Sequence, residues 1–316
     1  MIVTLTANPS IDRTVTLSEP LRRGAVHRAT TVSTHPGGKG VNVSRVVAAA
    51  GAATVAVLPG NAGDPLPRAL TDAGIDHRLV PSDGPVRVNL TLAELDGTTT
   101  KINEPGATLD AERLDELAAT LETLAGTAEW VVLSGSLPPG VDPAWYVSLV
   151  RRLRGTRVAV DTSDAPLRAM AGEFDRAAPD LLKPNAEELA QLTGGDPHAL
   201  EDPAAAARAA LALVSRGVGA VLATLGGAGA VLADAHGAWY ATAPAITPRS
   251  TVGAGDSALA GYLLADLAGA GPADRLRHAV AYGSAAAALP GTELPAPRHT
   301  DPGAVSVTAL HPLPHL

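Results

Sequence analysis

The chain contains no cysteine. Thiol nucleophiles, disulfides and thiolate metal centres are therefore excluded, and the composition fits a cytoplasmic protein. It also lacks any run of about 18 apolar residues, so no membrane span is predicted. The opening residues, Met1 to Thr6, lack the basic segment and long apolar stretch of a leader peptide and read as a first buried strand. Basic stretches and interleaved basic–aromatic patches are missing too, and the net charge is −8, which argues against nucleic acid as a partner. That charge repels small anions at long range, so an anionic substrate needs a local basic pocket.

Lysine and asparagine are scarce. Of 24 basic side chains only Lys39, Lys101 and Lys183 are lysine, and the asparagines are Asn8, Asn42, Asn61, Asn89, Asn103 and Asn185. All but Asn61 fall in the short glycine- or proline-marked segments described below. In a background that avoids these residues, such clustering suggests particular tasks, although asparagine also suits turns.

What is abundant is apolar: 46% of 316 residues, enough for a large core. Apolar runs at Ile2–Thr6, Thr54–Leu58, Trp130–Leu133, Val158–Asp161, Leu181–Lys183 and Ala220–Thr224 read as strands. Between them, Val41–Ala50, Ala111–Leu124, Pro143–Leu153, Ala204–Ser215, Ser257–Ala268 and Ala273–Ala287 read as helices. This alternation predicts one α/β domain, a mainly parallel sheet with helices on both faces. Residues 13–34 and 87–101 break the rhythm, alternating apolar and polar side chains as half-buried antiparallel strands do. They predict a small projecting sheet that can act as a lid. Val305–Thr308 reads as a last edge strand.

Five segments carry candidate chemistry. Ser250-Thr251-Val252-Gly253-Ala254-Gly255-Asp256-Ser257 precedes an apolar helix. Its glycines let successive N–H groups converge at the positive end of the helix, and Asp256 can take a proton from an attacking hydroxyl. The plainer alternative is a glycine turn whose aspartate starts a helix. Pro36-Gly37-Gly38-Lys39-Gly40-Val41-Asn42 again sets glycines before a helix, with Asn42 able to bond sugar hydroxyls, or it is a structural turn. It has neither the phosphate-loop spacing nor a dinucleotide fingerprint. Lys183-Pro184-Asn185-Ala186-Glu187-Glu188 closes a strand and opens a helix, where ligands of open α/β sheets bind. Asn185 and Glu188 share a helical face and either hold magnesium through water or form a capping box. Ser134-Gly135-Ser136 and Asn8-Pro9-Ser10-Ile11-Asp12 also stand at strand ends, as polar sites or as ordinary turns.

Together, "TANPSIDRTV", "PGGKGVNVSRV", "SGSLPPG", "LLKPNAEEL" and "STVGAGDS" resemble the phosphofructokinase B branch of the ribokinase-like sugar kinases, close to 1-phosphofructokinases and tagatose-6-phosphate kinases. The likeness runs from about Ile2 to about Leu294; one departure is Tyr262, where phenylalanine is frequent. It implies a three-layer α/β/α sandwich with a β-sheet lid, often paired into a homodimer. It implies Asp256 as catalytic base and Gly253, Ala254 and Gly255 as the anion hole. Asp12, Gly38 and Asn42 would hold the sugar, and Arg28, Lys39, Arg87 and Ser136 its phosphate, with Lys101 and Asn103 weaker candidates on the lid. Lys183, Asn185, Thr224, Gly226, Gly229 and Gly283 would frame ATP, and Asn185 with Glu188 would meet Mg2+ through water. The expected reaction is ATP-dependent conversion of fructose 1-phosphate to fructose 1,6-bisphosphate. Tagatose 6-phosphate or fructose 6-phosphate is the alternative acceptor. A non-catalytic sugar-phosphate-binding protein on the same fold is an alternative of another class, and a nucleotide-dependent oxidoreductase a poorer one.

Overall fold

The apolar runs pair into one large sheet in a computed structural model that describes residues 1–310. The strands are β1 (Ile2–Thr6), β2 (Ser10–Leu17), β3 (Ala29–Gly37), β4 (Thr54–Pro59), β5 (Asp76–Val80), β6 (Arg87–Ala93), β7 (Thr99–Asn103), β8 (Trp130–Ser134), β9 (Arg157–Asp161), β10 (Leu181–Leu182), β11 (Ala220–Thr224), β12 (Ala230–Asp234), β13 (Gly237–Thr242) and β14 (Ser306–Leu310). The helices are α1 (Lys39–Ala49), α2 (Pro65–Asp72), α3 (Ala111–Ala125), α4 (Trp145–Arg152), α5 (Asp164–Ala171), α6 (Phe174–Ala177), α7 (Ala186–Thr193), α8 (Pro203–Val214), α9 (Ala254–Leu267) and α10 (Pro272–Ala288).

Ten strands form the main sheet in the order β14-β13-β12-β11-β10-β9-β8-β1-β4-β5. From β5 to β11 every pairing is parallel; β12, β13 and β14 continue it antiparallel. Side chains alternate between faces along each strand. Val131 and Leu133 enter a core with α3, α4, α7 and α8, whereas Trp130 and Val132 enter one with α1, α9 and α10. Strand β1 has β4 on one side and β8 on the other, so the chain changes winding direction there. A crevice at the carboxyl ends of such strands is where ligands bind.

The second sheet has four strands in the order β3-β2-β6-β7. It is wider than the alternation in residues 13–34 and 87–101 suggests. Asp12, Pro36 and Gly37 already lie within its strands, while residues 18–28 belong to none. Among the elements not predicted are α2, which opens on two prolines in three residues, and the β12–β13 hairpin. No helix among the described residues is long and apolar enough to cross a membrane.

Helix α9 explains how the two ends of the molecule are held in register. Its far end carries Asp266, buried and facing the amino ends of β8 and β9. That carboxylate accepts from Trp130 Nε1 at 2.8 Å and Arg157 Nη1 at 2.6 Å, and pairs with Arg275 at 3.1 Å. An acidic residue in the last turn opposes the helix dipole, and these three donors offset that. Replacing Asp266 by Ala leaves the buried Trp130 N–H without an acceptor, whereas the partly exposed arginines rehydrate. The expected cost is about 1–3 kcal/mol in urea unfolding. Because the cluster lies at the edge opposite the crevice, Michaelis constants of the folded variant should match the parent.

Candidate active site

Two glycine-marked turns build the crevice. At the first, Gly38 has φ 106° and caps α1, and the Val41 N–H donates to Thr6 Oγ1 at 2.9 Å, fixing the helix start against the end of β1. Gly40 packs so closely that a Cβ there would come within 2.6 Å of the Leu5 carbonyl oxygen. At the second, Gly253 has φ 75°, a conformation that favours glycine, and α9 begins beside it. Among the described residues the Gly255 and Asp256 N–H groups meet neither a backbone acceptor nor a capping side chain. They stand at the positive end of a buried helix, as an anion hole requires.

Asp256 lies in that first turn, buried. One of its oxygens accepts from Asn42 Nδ2 at 2.8 Å, while Asn42 Oδ1 faces Arg45 Nη1 at 3.4 Å, which orients the amide. Burial, and next the negative charge of Asp161, push the Asp256 carboxyl up to about 6, against the opposing pull of Lys39, Asn42 and Lys183. Such a carboxylate is a better base than an exposed one yet still ionised at neutral pH.

Asp161 closes β9 with almost no exposure and was not singled out from the sequence. It is paired with Lys39 at 2.7 Å and Lys183 at 3.2 Å. Burial works against its charge, but Lys183 and Lys39 together hold its carboxyl below the ordinary range. Burial likewise disfavours the Lys39 ammonium, and the charges of Asp161, Asp256 and Glu188 outweigh it and raise its pKa. An acidic residue ending an otherwise apolar buried run was the signal available in the sequence. The Lys39 ammonium lies with Asp161, which Lys183 also pairs, whereas Arg87 stands on the small sheet.

Lys183, Asn185 and Thr224 meet at neighbouring strand ends, with Asn185 bridged to Thr224. Both readings of the Asn185–Glu188 pair had been open, and the capping box is present. Glu188 N–H donates to Asn185 Oδ1 at 2.8 Å, and Asn185 N–H to Glu188 Oε2 at 2.9 Å. Glu188 is buried, and its second carboxylate oxygen is not engaged by the box. A hard anionic oxygen near the Lys39 ammonium suits magnesium held through water. Among the described residues no group of three acidic or histidine side chains forms a direct metal cage.

Two other glycines have packing reasons rather than open space beside them. A Cβ at Gly229 would strike the β13 backbone, and one at Gly283 would press on Ala254 and Ala258 of α9. Gly226 turns the chain after β11 with φ 57°.

On the small sheet, Asp12 lies over Gly37, where any Cβ would fall inside its carboxylate. Arg87 is half-buried, with Nη1 donating to the Glu104 carbonyl at 3.1 Å. Ser136 is exposed, 3.5 Å from Asn8 Nδ2. Lys101 and Asn103 are exposed on β7. Arg28 does not join this group. It is exposed just before β3, nine residues from Gly37, roughly 25–30 Å along an extended chain.

These features agree with the relatives. Residues 5–299 match the model of the pfkB family carbohydrate kinases. The chain belongs to that family. It is 39% identical to 1-phosphofructokinase of Xanthomonas campestris over 83% of each chain, and 35% identical to 1-phosphofructokinase of Haloferax volcanii over 93% of each. Its fold superposes on Escherichia coli phosphofructokinase-2, solved in complex with substrates and products, with a TM-score of 0.84 and 31% identity. That alignment covers 94% of this chain and 96% of the other. The pfkB family membership makes the chain a carbohydrate kinase, a phosphotransferase with an alcohol acceptor that uses ATP and Mg2+.

The raised Asp256 carboxyl has a stability consequence. The folded state holds that proton more tightly than the unfolded chain does. The stability it contributes is full below about 3.8 and is lost as pH rises through about 6. D256N removes the cost of the buried charge, so it should be more stable than the parent above pH 6. Urea melts should show its advantage growing by roughly 1 kcal/mol from pH 5 to pH 8. A constant difference would mean that Asp256 does not titrate in this range.

Proposed function

We propose that the chain phosphorylates fructose 1-phosphate with ATP, giving fructose 1,6-bisphosphate and ADP. The observation that carries this reading is Asp256, a buried, raised carboxylate in the first turn of a helix whose next free N–H groups face the same crevice. Asp256 takes the proton of the acceptor hydroxyl as that oxygen bonds to the γ-phosphorus and the bond to ADP breaks. The N–H groups of Gly255 and Asp256, with Gly253 and Ala254 shaping the turn, stabilise charge on the transferred group. Lys183 and Lys39, preset by Asp161, lie where the phosphate chain passes, with Thr224 and Gly226 framing the nucleotide. Magnesium supplies charge neutralisation between the phosphoryl groups, and Glu188 and Asn185 are the residues that would hold it.

The acceptor assignment is supported by two relatives, 39% and 35% identical, that carry the name 1-phosphofructokinase. The solved neighbour is a phosphofructokinase-2, so fructose 6-phosphate or tagatose 6-phosphate is the second reading. In either case the small sheet acts as a lid over the sugar within a single kinase domain, Asp12, Gly38 and Asn42 bind hydroxyls, and Arg87 and Ser136 bind the phosphate. The setting is the cytoplasm.

The lid also favours a homodimer. Its cross-strand register puts Asp12, Asn89 and Lys101 on alternate positions from Val15, Val32, Leu90, Leu92 and Ile102. Val26, Val32, Leu95 and Ile102 are among the few large apolar side chains exposed in the described residues. An apolar face on a protruding sheet suits burial against a second copy. In such a dimer Arg28, at the far end of the lid, would face the partner rather than its own crevice.

Three measurements test the reading. Coupled ADP release should be far faster with fructose 1-phosphate than with free fructose or ribose; better turnover of an unphosphorylated sugar would falsify the assignment. D256N should lose roughly 10²–10⁴ in kcat with little change in ligand binding, and parent kcat should fall as pH drops below about 6. Placing aspartates at both Val32 and Ile102 should halve the mass seen by light scattering if the lid pairs the protomers.

A further inference from the structure

A triangle of hydrogen bonds on the lid is not used by the mechanism. Asn89 stands opposite Asp12 across the β2–β6 pairing. Its amide nitrogen donates to Asp12 Oδ1 at 3.0 Å and to Ser10 Oγ at 3.0 Å, and the Ser10 hydroxyl donates to the same Asp12 oxygen at 2.8 Å. The proton count closes: Asn89 spends both N–H bonds, Ser10 its single proton, and Asp12 Oδ1 receives two. Turning the amide over would set its oxygen against a carboxylate, so the orientation is determined by Asp12.

Among the described residues no protein donor reaches the buried Asn89 Oδ1, so the amide is held by its donor side alone, through Asp12 and Ser10. Ser10 is fully buried and Gly37 lies directly beneath the carboxylate. Asp12 Oδ1 is thereby saturated by protein donors on one side. That leaves Oδ2 as the oxygen with acceptor capacity for a sugar hydroxyl.

We infer that Asn89 is a positioning residue for the sugar: through its bond to Asp12 it fixes which carboxylate oxygen meets the substrate hydroxyls. The inference rests on the sugar-phosphate reading above. Asn89 acts on sugar binding through Asp12, and it links β6, the strand that carries Arg87, to the hydroxyl-binding residue on β2. Sugar and phosphate contacts on the lid are in this way held in one rigid register.

The test uses the full chain and four variants: N89A, N89D, D12A and D12A/N89A. N89A deletes two donated hydrogen bonds together with the amide oxygen, so its melting temperature should fall by only a few degrees. Its KM for the sugar phosphate should nevertheless rise about tenfold, with the KM for ATP unchanged. A residue with only a structural role would move stability and leave this split absent. N89D keeps the shape but faces Asp12 Oδ1 with an acceptor, and its sugar KM should rise above that of N89A. The double variant should match D12A within about twofold, because a residue that acts through Asp12 has nothing left to position. An unchanged sugar KM in both N89A and N89D overturns the inference, as does a double variant whose losses multiply. The parent run in parallel separates the two claims. If it turns over no sugar phosphate, the functional reading falls and this inference with it. If the parent is active and the variants match it, only the inference falls.

Discussion

Two ammonium groups converge on one carboxylate that has almost no contact with water, and one end of the crevice depends on that pairing. Asp161 is too deeply buried to be stable alone, and Lys39, from far earlier in the chain, and Lys183, from the next strand, neutralise it. Removing either lysine would leave a buried charge short of a partner, which is far more costly than losing an exposed ion pair. The same constraint sets the chemistry. Asp161 raises the proton affinity of Asp256, and both lysines pull it back, so that affinity is set by a balance among four charged side chains. Geometry supplied for stability thus also supplies electrostatic preorganisation.

The elements that carry these groups are fixed by close backbone contacts rather than by long side chains. Glycines at 38 and 40 let α1 approach the end of β1, and Gly37 lets the Asp12 carboxylate lie across β3, at distances that a Cβ would prevent. Asn42 then joins α1 to α9 by its bond to Asp256. The lid is built differently. Its contacts are polar pairs across a register, Asp12 with Asn89 above all, and they hold a sheet that has little core of its own. One side of the crevice is thus rigid and the other thinner, a division that lets an enzyme preset one side while the other admits a substrate.

Much of this was legible in the residues. The apolar runs of β1, β4, β8 and β11 and the Ala/Leu-rich α3, α8 and α10 appear where periodicity put them, because burial on one or both faces writes itself into spacing. The glycine turns before α1 and α9 were legible because only glycine tolerates the backbone they need. Other features left weaker traces. Helix α2 is short and opens on prolines, and β12 and β13 carry no pattern distinct from a helix of small residues. The role of Asp161 depends on Lys39 and Lys183, more than a hundred positions away in one case, and no local rule reports such a pairing. Motif order grouped Arg28 with the other phosphate candidates, but it does not report how far a strand separates them along the chain.

The scarcity of lysine has a practical side. Lys183 is buried, and Lys39 is paired and partly covered, whereas Lys101 is exposed on the outermost strand of the small sheet. Amine-reactive dyes should therefore find a single favoured lysine, and it lies on the small sheet. The composition provides a built-in attachment point from which any movement of that sheet can be followed by fluorescence, with no residue changed.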